Sequence, residues 1–326
     1  MRDKGCYNDI LEVIGHTPMV RLNRVTEGLA CRVFAKLEFL NPMGSSKDRI
    51  ARHLIEAAER DGRLRPGDLI IENSSGNTAL GMAMVAIQKG YRLKAVVRDR
   101  ISKEKLDQLL ALGVDVHKVD TSLPPEHPDS YNNITPRLAR ELPHCYFPDQ
   151  HNNRENNEAH YLGTGREIWE QMEGRIDMLV AGMGTGGTVG GVGRFLKEQD
   201  PAIKVVAVDV EGSVFTEYFR TGQTGGAAPY LLEGLGDEFL IGCADFSVVD
   251  EMVQVGDREA FLAARELARR EGMLVGGSSG AVLCALRQAA AALPSGARVA
   301  VIFPDSASRY LSTIFNDEWM HEKGML

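Results

Sequence analysis

The chain has 326 residues, 37 of them Lys or Arg against 45 Asp or Glu, for a formal charge of −8. A net acidic chain lacks the basic face that nucleic acids require, so no nucleic-acid partner is expected. No run of about 18 apolar residues occurs, so no membrane span is expected. Residues 1–6 lead into no apolar signal segment, and five scattered cysteines without a CxxC pair fit a reducing, cytoplasmic setting. No HExxH or paired Cys/His spacing is present, so no metal site is expected. The 34 glycines are the unusual count, roughly a tenth of the chain against a typical ~7%. They are clustered, which points to close backbone approaches.

In chain order, Ile50, Leu54 and Ile55 mark a helix that opens near Lys47. Asp68-Leu69-Ile70-Ile71 reads as a strand behind Pro66-Gly67, and 77–90 as a helix closed by Gly90. Residues 93–97 read as a strand, 102–112 as a helix with Gly113 as its left-handed stop, and 114–119 as a strand. Residues 121–135, with Pro124, Pro125, Pro128 and Asn132-Asn133, read as a loop. Asp177-Met178-Leu179-Val180 is a strand, 187–199 a helix and 205–208 a strand. Helices follow at 257–271 and 279–293, and 299–303 is the last strong strand. Apolar strands alternating with helices predict parallel sheets covered on both faces, in two α/β domains.

Three glycine motifs follow strands and open helices. Gly182-Met183-Gly184-Thr185-Gly186-Gly187-Thr188 satisfies GxGxxG, with Asp209 at the end of the next strand. That pattern suits either a dinucleotide or a single phosphate at a helix amino terminus. Gly276-Gly277-Ser278-Ser279-Gly280 satisfies GxSxG, and Asp305 and His321 follow in hydrolase order. His321, however, lies in a polar tail. Ser74-Ser75-Gly76-Asn77-Thr78 gathers hydroxyls and amides where a helix begins, which suits a carboxylate or a simple N-cap. The deciding segment is Asn41-Pro42-Met43-Gly44-Ser45-Ser46-Lys47-Asp48-Arg49. A lysine in a first helical turn opposes the macrodipole. Its position points to a functional amine with a depressed pKa, for which dehydrogenases and hydrolases have no use.

Together these four segments resemble the fold-type II pyridoxal-phosphate (PLP) enzymes, the tryptophan synthase β-like family. Within it they look most like the catalytic core of cystathionine β-synthase, with cysteine synthase next. The resemblance runs from Ile14-Gly15-His16-Thr17-Pro18 to the tail around Asp317-Glu318-Trp319-Met320. It implies two α/β lobes with the cofactor between them: residues 1–45 with 157–326 as the larger, PLP-binding domain, and 46–156 as the smaller one that closes on substrate. It implies that Lys47 holds PLP as a Schiff base, that Gly184, Thr185, Gly186, Gly187 and Thr188 bind its phosphate, that Asn77 reaches the 3′-oxygen and that Ser278 faces the ring nitrogen. Ser74, Ser75, Thr78 and Gln150 would hold the substrate carboxylate, with His151 beside the substrate. The implied reaction is β-replacement on serine, O-acetylserine or O-phosphoserine through an aminoacrylate, with Lys47 as the base. A homodimer taking small amino-acid substrates is the implied state, with Gly44 and Gly76 as pivots of closure. The length would leave no room for a haem-binding extension or a C-terminal regulatory pair.

The chain departs from the family pattern at several positions. The loop that normally reads Glu-Pro-Thr-Ser-Gly-Asn-Thr-Gly is here Glu72-Asn73-Ser74-Ser75-Gly76-Asn77-Thr78-Ala79. Ala79 would put a Cβ where a glycine allows close helix packing. His151 stands where an aromatic follows the glutamine, Arg98 stands in a segment that normally contains proline, and Met43 replaces a glycine. These changes leave the acceptor open among homocysteine, sulfide and an amine of the kind that makes diaminopropionate. A nicotinamide-dependent dehydrogenase is the alternative from another class.

Overall fold

The computed structural model describes residues 6–124 and 126–326. The N-terminal run 1–5 and Pro125 of the expected loop lie outside the described residues. Labelled elements in chain order are β1 (Met19–Leu22), β2 (Arg32–Leu37), α1 (Lys47–Arg60), β3 (Leu69–Asn73), α2 (Asn77–Lys89), β4 (Arg92–Arg98) and α3 (Lys103–Ala111). They continue with β5 (Asp115–Val119), α4 (Tyr131–Glu141), β6 (Cys145–Tyr146), α5 (Glu155–Ala159), α6 (Arg166–Gln171), β7 (Met178–Gly182), α7 (Gly187–Gln199), β8 (Lys204–Val210) and α8 (Phe215–Thr221). The last are β9 (Glu251–Val255), α9 (Asp257–Glu271), α10 (Gly277–Ala289), β10 (Arg298–Phe303) and α11 (Asp317–Glu322). A π-helical stretch, His160–Gly165, joins α5 to α6.

The chain divides into two units. The smaller takes the described residues up to Ile14 together with Asn41–Glu155; the larger takes Gly15–Leu40 and Asn156–Leu326. The smaller unit holds a four-stranded parallel sheet in the order β5-β4-β3-β6. Ile71, Val96, Val119 and Ile134 form its small core beside α4. Helix α1 buries Ile50, Ala51, Leu54 and Ile55 and packs along α2.

The larger unit holds a six-stranded sheet in the order β1-β2-β10-β7-β8-β9, antiparallel only at the β1–β2 edge. Side chains that alternate along a strand fall on opposite faces. Met178, Val180, Val206, Val208, Val299 and Val301 accordingly join one core with residues of α9 and α10. Leu179, Ala181, Val205, Ala207, Ala300 and Ile302 join another with residues of α6 and α7. Both faces are buried, which is why these strands read as unbroken apolar runs.

The structure corrects the expected loop at 121–135. Residues from Tyr131 onward are α4, with Pro136 inside the helix. Tyr131, Ile134 and Leu138 fall at helical spacing and pack on one small core. That burial outweighs the hydrogen bond Pro136 cannot donate. Strands β1, β2, β6 and β9 are also additions to the expected set. In β2 the apolar run is interrupted by Lys36, which the fold nevertheless buries completely. Its Nζ donates to Thr17 O at 2.6 Å, Glu167 Oε2 at 2.6 Å and Gln171 Oε1 at 2.9 Å, so all three protons are used. Among the described residues no helix is long and apolar enough to cross a membrane.

Breaking a buried ion pair by deleting one partner leaves the other charge uncompensated. Lys36→Met should therefore destabilise the protein by about 3–5 kcal/mol in a denaturant titration. A loss below about 1 kcal/mol would show that Glu167 finds another partner.

Candidate active site

The site residues of the smaller unit sit at helix starts and strand ends. Lys47 is the first residue of α1. The turn before it is tied by Gly44 N–H to Asn41 O at 2.8 Å and by Met43 N–H to the Asp48 carboxylate at 2.6 Å. Gly44 has φ 77°, which only glycine adopts without strain. The Lys47 backbone N–H donates to Ser45 Oγ at 3.2 Å. The close approach between α1 and α2 is at Gly81, where an added Cβ would stand 3.0 Å from the Lys47 carbonyl oxygen. Ala79 is fully buried, so the glycine that this packing needs lies two residues further on.

Strand β3 ends at Asn73 and α2 begins at Asn77. Between them, Ser74 Oγ accepts from Gly76 N–H at 3.3 Å and from Ala79 N–H at 3.4 Å. The hydroxyl therefore shapes the loop and keeps its own O–H for another acceptor. Ser75 Oγ accepts from Arg98 N–H at 3.1 Å, and the Arg98 guanidinium lies 4.8 Å from the centre of the Tyr131 ring. Thr78 Oγ1 donates to Gln150 Oε1 at 2.5 Å, and both side chains are buried. This bond joins the first turn of α2 to the segment that follows β6. Beneath them lies Glu72, completely buried beside the backbone N–H groups of Gln150, Asn73 and Asp149. Burial, and then the Asp149 charge, hold its carboxyl well above the usual carboxylate range. The imidazole of His151 is pushed below its ordinary pKa, chiefly by burial.

In the larger unit, residues 184–188 span the β7–α7 turn. Gly186 has φ 79°, and no side chain caps α7. A Cβ at Gly184 would strike Gly234 O, and one at Gly187 would strike the Asn156 amide. At Gly186 it would stand 2.6 Å from the backbone of Ala244. Thr185 Oγ1 accepts from Asn156 Nδ2 at 3.1 Å, and Thr188 Oγ1 pairs with His160 Nε2 at 3.2 Å. The segment thus offers backbone amides, two hydroxyls and a helix amino terminus. That donor set suits a phosphate dianion, so the residues present fit PLP's phosphate.

The structure gives Asp209 another task than a ribose. Its Oδ2 accepts from Thr216 N–H at 2.9 Å and from Thr216 Oγ1 at 2.7 Å, at the start of α8. Ser278 is buried in the first turn of α10, which begins at Gly277, two residues before the expected start at 279. Asp305 accepts from Tyr310 Oη at 2.8 Å, and His321 is exposed on α11. The hydrolase pattern therefore has its acid engaged by a tyrosine. Sequence reasoning passed over Asn156, Asn157 and His160, which brace the phosphate turn. The run Asn152-Asn153 followed by Asn156-Asn157 was its only signal, and it has no period.

A family model described as "Pyridoxal-phosphate dependent enzyme" matches residues 10–305. Cystathionine beta-synthase of Rattus norvegicus is 45% identical over 320 residues, which cover 98% of this chain and 57% of that protein. Cysteine synthase of Staphylococcus aureus is 40% identical over 310 residues, covering 94% and 96%. A crystal structure of O-ureido-L-serine synthase superposes with a TM-score of 0.88 at 34% identity, covering 97% of this chain and 100% of that one. The chain belongs to the pyridoxal-phosphate-dependent enzymes, with the two-sheet α/β fold of fold type II. It spans 57% of the length of the rat relative.

Gly186→Ala should weaken PLP binding at least about tenfold, since it adds a strained φ and a backbone clash to the phosphate turn. Gly222→Ala, at φ 74° with open space around it, should cost stability alone. Titrating each apoprotein with PLP by visible absorption checks this; equal affinities would remove the phosphate assignment.

Proposed function

We propose that this enzyme catalyses β-replacement on serine or an activated serine, O-acetylserine or O-phosphoserine, in the manner of cystathionine β-synthase. The observation that carries this reading is the arrangement within the smaller unit. A lysine opens α1, and the Thr78–Gln150 bond ties together two loops rich in carboxylate donors. The names of the relatives support it: cystathionine beta-synthase and cysteine synthase.

In this reading Lys47 Nζ holds the cofactor covalently. The amides and hydroxyls of residues 184–188 take the phosphate, Asn77 the 3′-oxygen, and Ser278 the ring nitrogen. When bound, PLP draws electrons from the α-carbon of an attached amino acid and so acidifies its α-proton. Ser74, Ser75, Thr78 and Gln150 bind the substrate carboxylate and align the Cα–H bond with Lys47. The Lys47 amine takes that proton, and its ammonium form returns it to Cα after the acceptor has bonded to Cβ. Ser278 is neutral, so it leaves the ring nitrogen without the charge partner that an acidic side chain would provide. The division of labour in this reading follows the two units, with the phosphate turn and Ser278 in the unit of Gly15–Leu40 and Asn156–Leu326, and Lys47, Asn77 and the substrate loops in the unit that holds Asn41–Glu155. A cytoplasmic homodimer is the state we assign to it, in keeping with five free cysteines.

A second reading, synthesis of an O-linked or N-linked serine derivative, is favoured by His151 and by the likeness to O-ureido-L-serine synthase. Mass spectrometry of products formed from the three donors with a mixture of homocysteine, sulfide and amine acceptors separates the readings. Cystathionine is the expected main product; a dominant rate with sulfide would replace it by cysteine synthesis. Borohydride treatment followed by peptide mapping should fix PLP to the peptide containing Lys47 and to no peptide of Lys47→Ala. Label on another lysine would overturn the assignment.

A further inference from the structure

The π-helical bend His160–Gly165 packs directly against α7. A Cβ at Gly191 would stand 2.8 Å from His160 Cβ and 2.2 Å from the Asn157 carbonyl oxygen. Close backbone packing therefore holds His160 in place, and it is 1% exposed. Its Nδ1 lies 2.9 Å from Thr164 Oγ1, and its Nε2 lies 3.2 Å from Thr188 Oγ1. Thr164 is fully buried, while Thr188 is half-buried in the first turn of α7. Asn156, also fully buried, donates from Nδ2 to Thr185 Oγ1 at 3.1 Å. An amide nitrogen only donates, so Thr185 Oγ1 is the acceptor there and keeps its own proton for another group.

The hydrogen-bond inventory sets the direction of the His160 contacts as well. A hydroxyl carries one proton, and a neutral imidazole has one N–H and one bare nitrogen. Among the described residues the Thr164 hydroxyl has His160 Nδ1 as its hydrogen-bond partner and no other. A proton on Nδ1 would make Thr164 Oγ1 the acceptor and leave a fully buried O–H without one. An unmatched buried donor bears its whole desolvation penalty. With the Thr164 O–H donated to Nδ1, the ring proton sits on Nε2 and goes to Thr188 Oγ1. The Thr188 proton then has no acceptor among the described residues. Thr185 and Thr188 thus share one polarity: each accepts from a buried side chain and has its proton left to give.

We propose that His160 is a positioning residue for the cofactor phosphate. It holds the Thr188 hydroxyl as an acceptor, so that the Thr188 O–H donates to an anion at the amino end of α7. This inference rests on the assignment of residues 184–188 to the phosphate. The chain of donors runs from Thr164 O–H to Nδ1, from Nε2–H to Thr188 Oγ1, and from Thr188 O–H to a phosphate oxygen. A phosphate dianion offers acceptors alone, so the reverse chain would turn an oxygen lone pair toward it. Asn156 imposes the same direction on Thr185. His160 acts on the anion through Thr188, without touching it. The arrangement favours the phosphorylated cofactor over pyridoxal, which has no phosphate for Thr188 to meet.

Two measurements test this. The first is nitrogen NMR of the PLP-loaded wild type carrying isotopically labelled histidine, with the His160 ring signals assigned by their shift in Thr164→Ser. Nε2 should be protonated and Nδ1 bare; a bare Nε2 would overturn the proposal. The second is titration of each apoprotein with PLP and with pyridoxal, followed by visible absorption. His160→Leu should bind PLP about 10–100-fold more weakly, the worth of one hydrogen bond to a charged group, and should bind pyridoxal as wild type does. His160→Gln, whose side-chain amide can donate in place of Nε2, should recover most of the PLP affinity. Thr188→Val should lose as much as His160→Leu, and the variant carrying both changes should be no weaker than Thr188→Val alone. Equal losses for PLP and pyridoxal in His160→Leu, or a double variant weakened by the product of the two factors, would mark His160 as merely structural and sink the proposal. Unchanged PLP affinity in His160→Leu beside a weakened Thr188→Val would also remove it and leave the phosphate turn intact. If Thr188→Val itself binds PLP as wild type does, Thr188 holds no phosphate, and this inference falls with that assignment.

Discussion

Backbone must come nearer to backbone around the amino end of α7 than any side chain permits. Gly184 faces the Gly234 carbonyl, Gly186 the Ala244 backbone, and Gly191 the Asn157 carbonyl. This contact brings the β7–α7 turn, the 234–244 segment and the π-helical bend into one block of the larger unit. It also leaves the amides of the first turn without side-chain competitors. An anion is then the natural complement of the exposed N–H groups and of the helix dipole. A phosphate group would meet that requirement, with the hydroxyls of Thr185 and Thr188 adding to the donor set.

Charge in the smaller unit is managed by a different route. Lys47 opens α1, where a cation opposes the helix dipole. The Asp48 carboxylate takes the Met43 N–H, the Asp149 carboxylate takes the Asn152 amide, and burial raises the Glu72 carboxyl well above its ordinary range. Glu167 shows the opposite solution in the larger unit, where a buried carboxylate is matched by Lys36 and by the His16 N–H. Buried acids are paired, or their pKa is driven up, as low-polarity surroundings demand.

The sequence was most readable where periodicity and punctuation agree. Strands β3, β4, β7, β8 and β10 and helices α2, α7 and α9 follow from apolar runs stopped by glycine, and their ends lie within about two residues of the expected ones. Helix α4 was hidden because Asn132, Asn133 and Pro136 are loop signals, while its stabilisation comes from packing of Ile134 and Leu138 on a distant part of the chain. Strand β2 was hidden by Lys36, whose charge is matched by Glu167, 131 positions away in sequence. The dinucleotide reading of GxGxxG could not be dismissed from spacing. It yields to the finding that Asp209 is spent on the start of α8.

The sequence by itself determined the class: a lysine at a helix start, a phosphate turn and a hydroxyl-rich loop are local patterns whose chemistry depends on residue type and short spacing. It also exposed His151 as a departure. Only the tertiary structure decided what those residues have around them. Asn156 reaching Thr185 and Gln150 reaching Thr78 are contacts between segments whose spacing along the chain carries no periodic signal. Burial and charge matching are properties of the folded surroundings, so they become readable when the chain has brought those surroundings together.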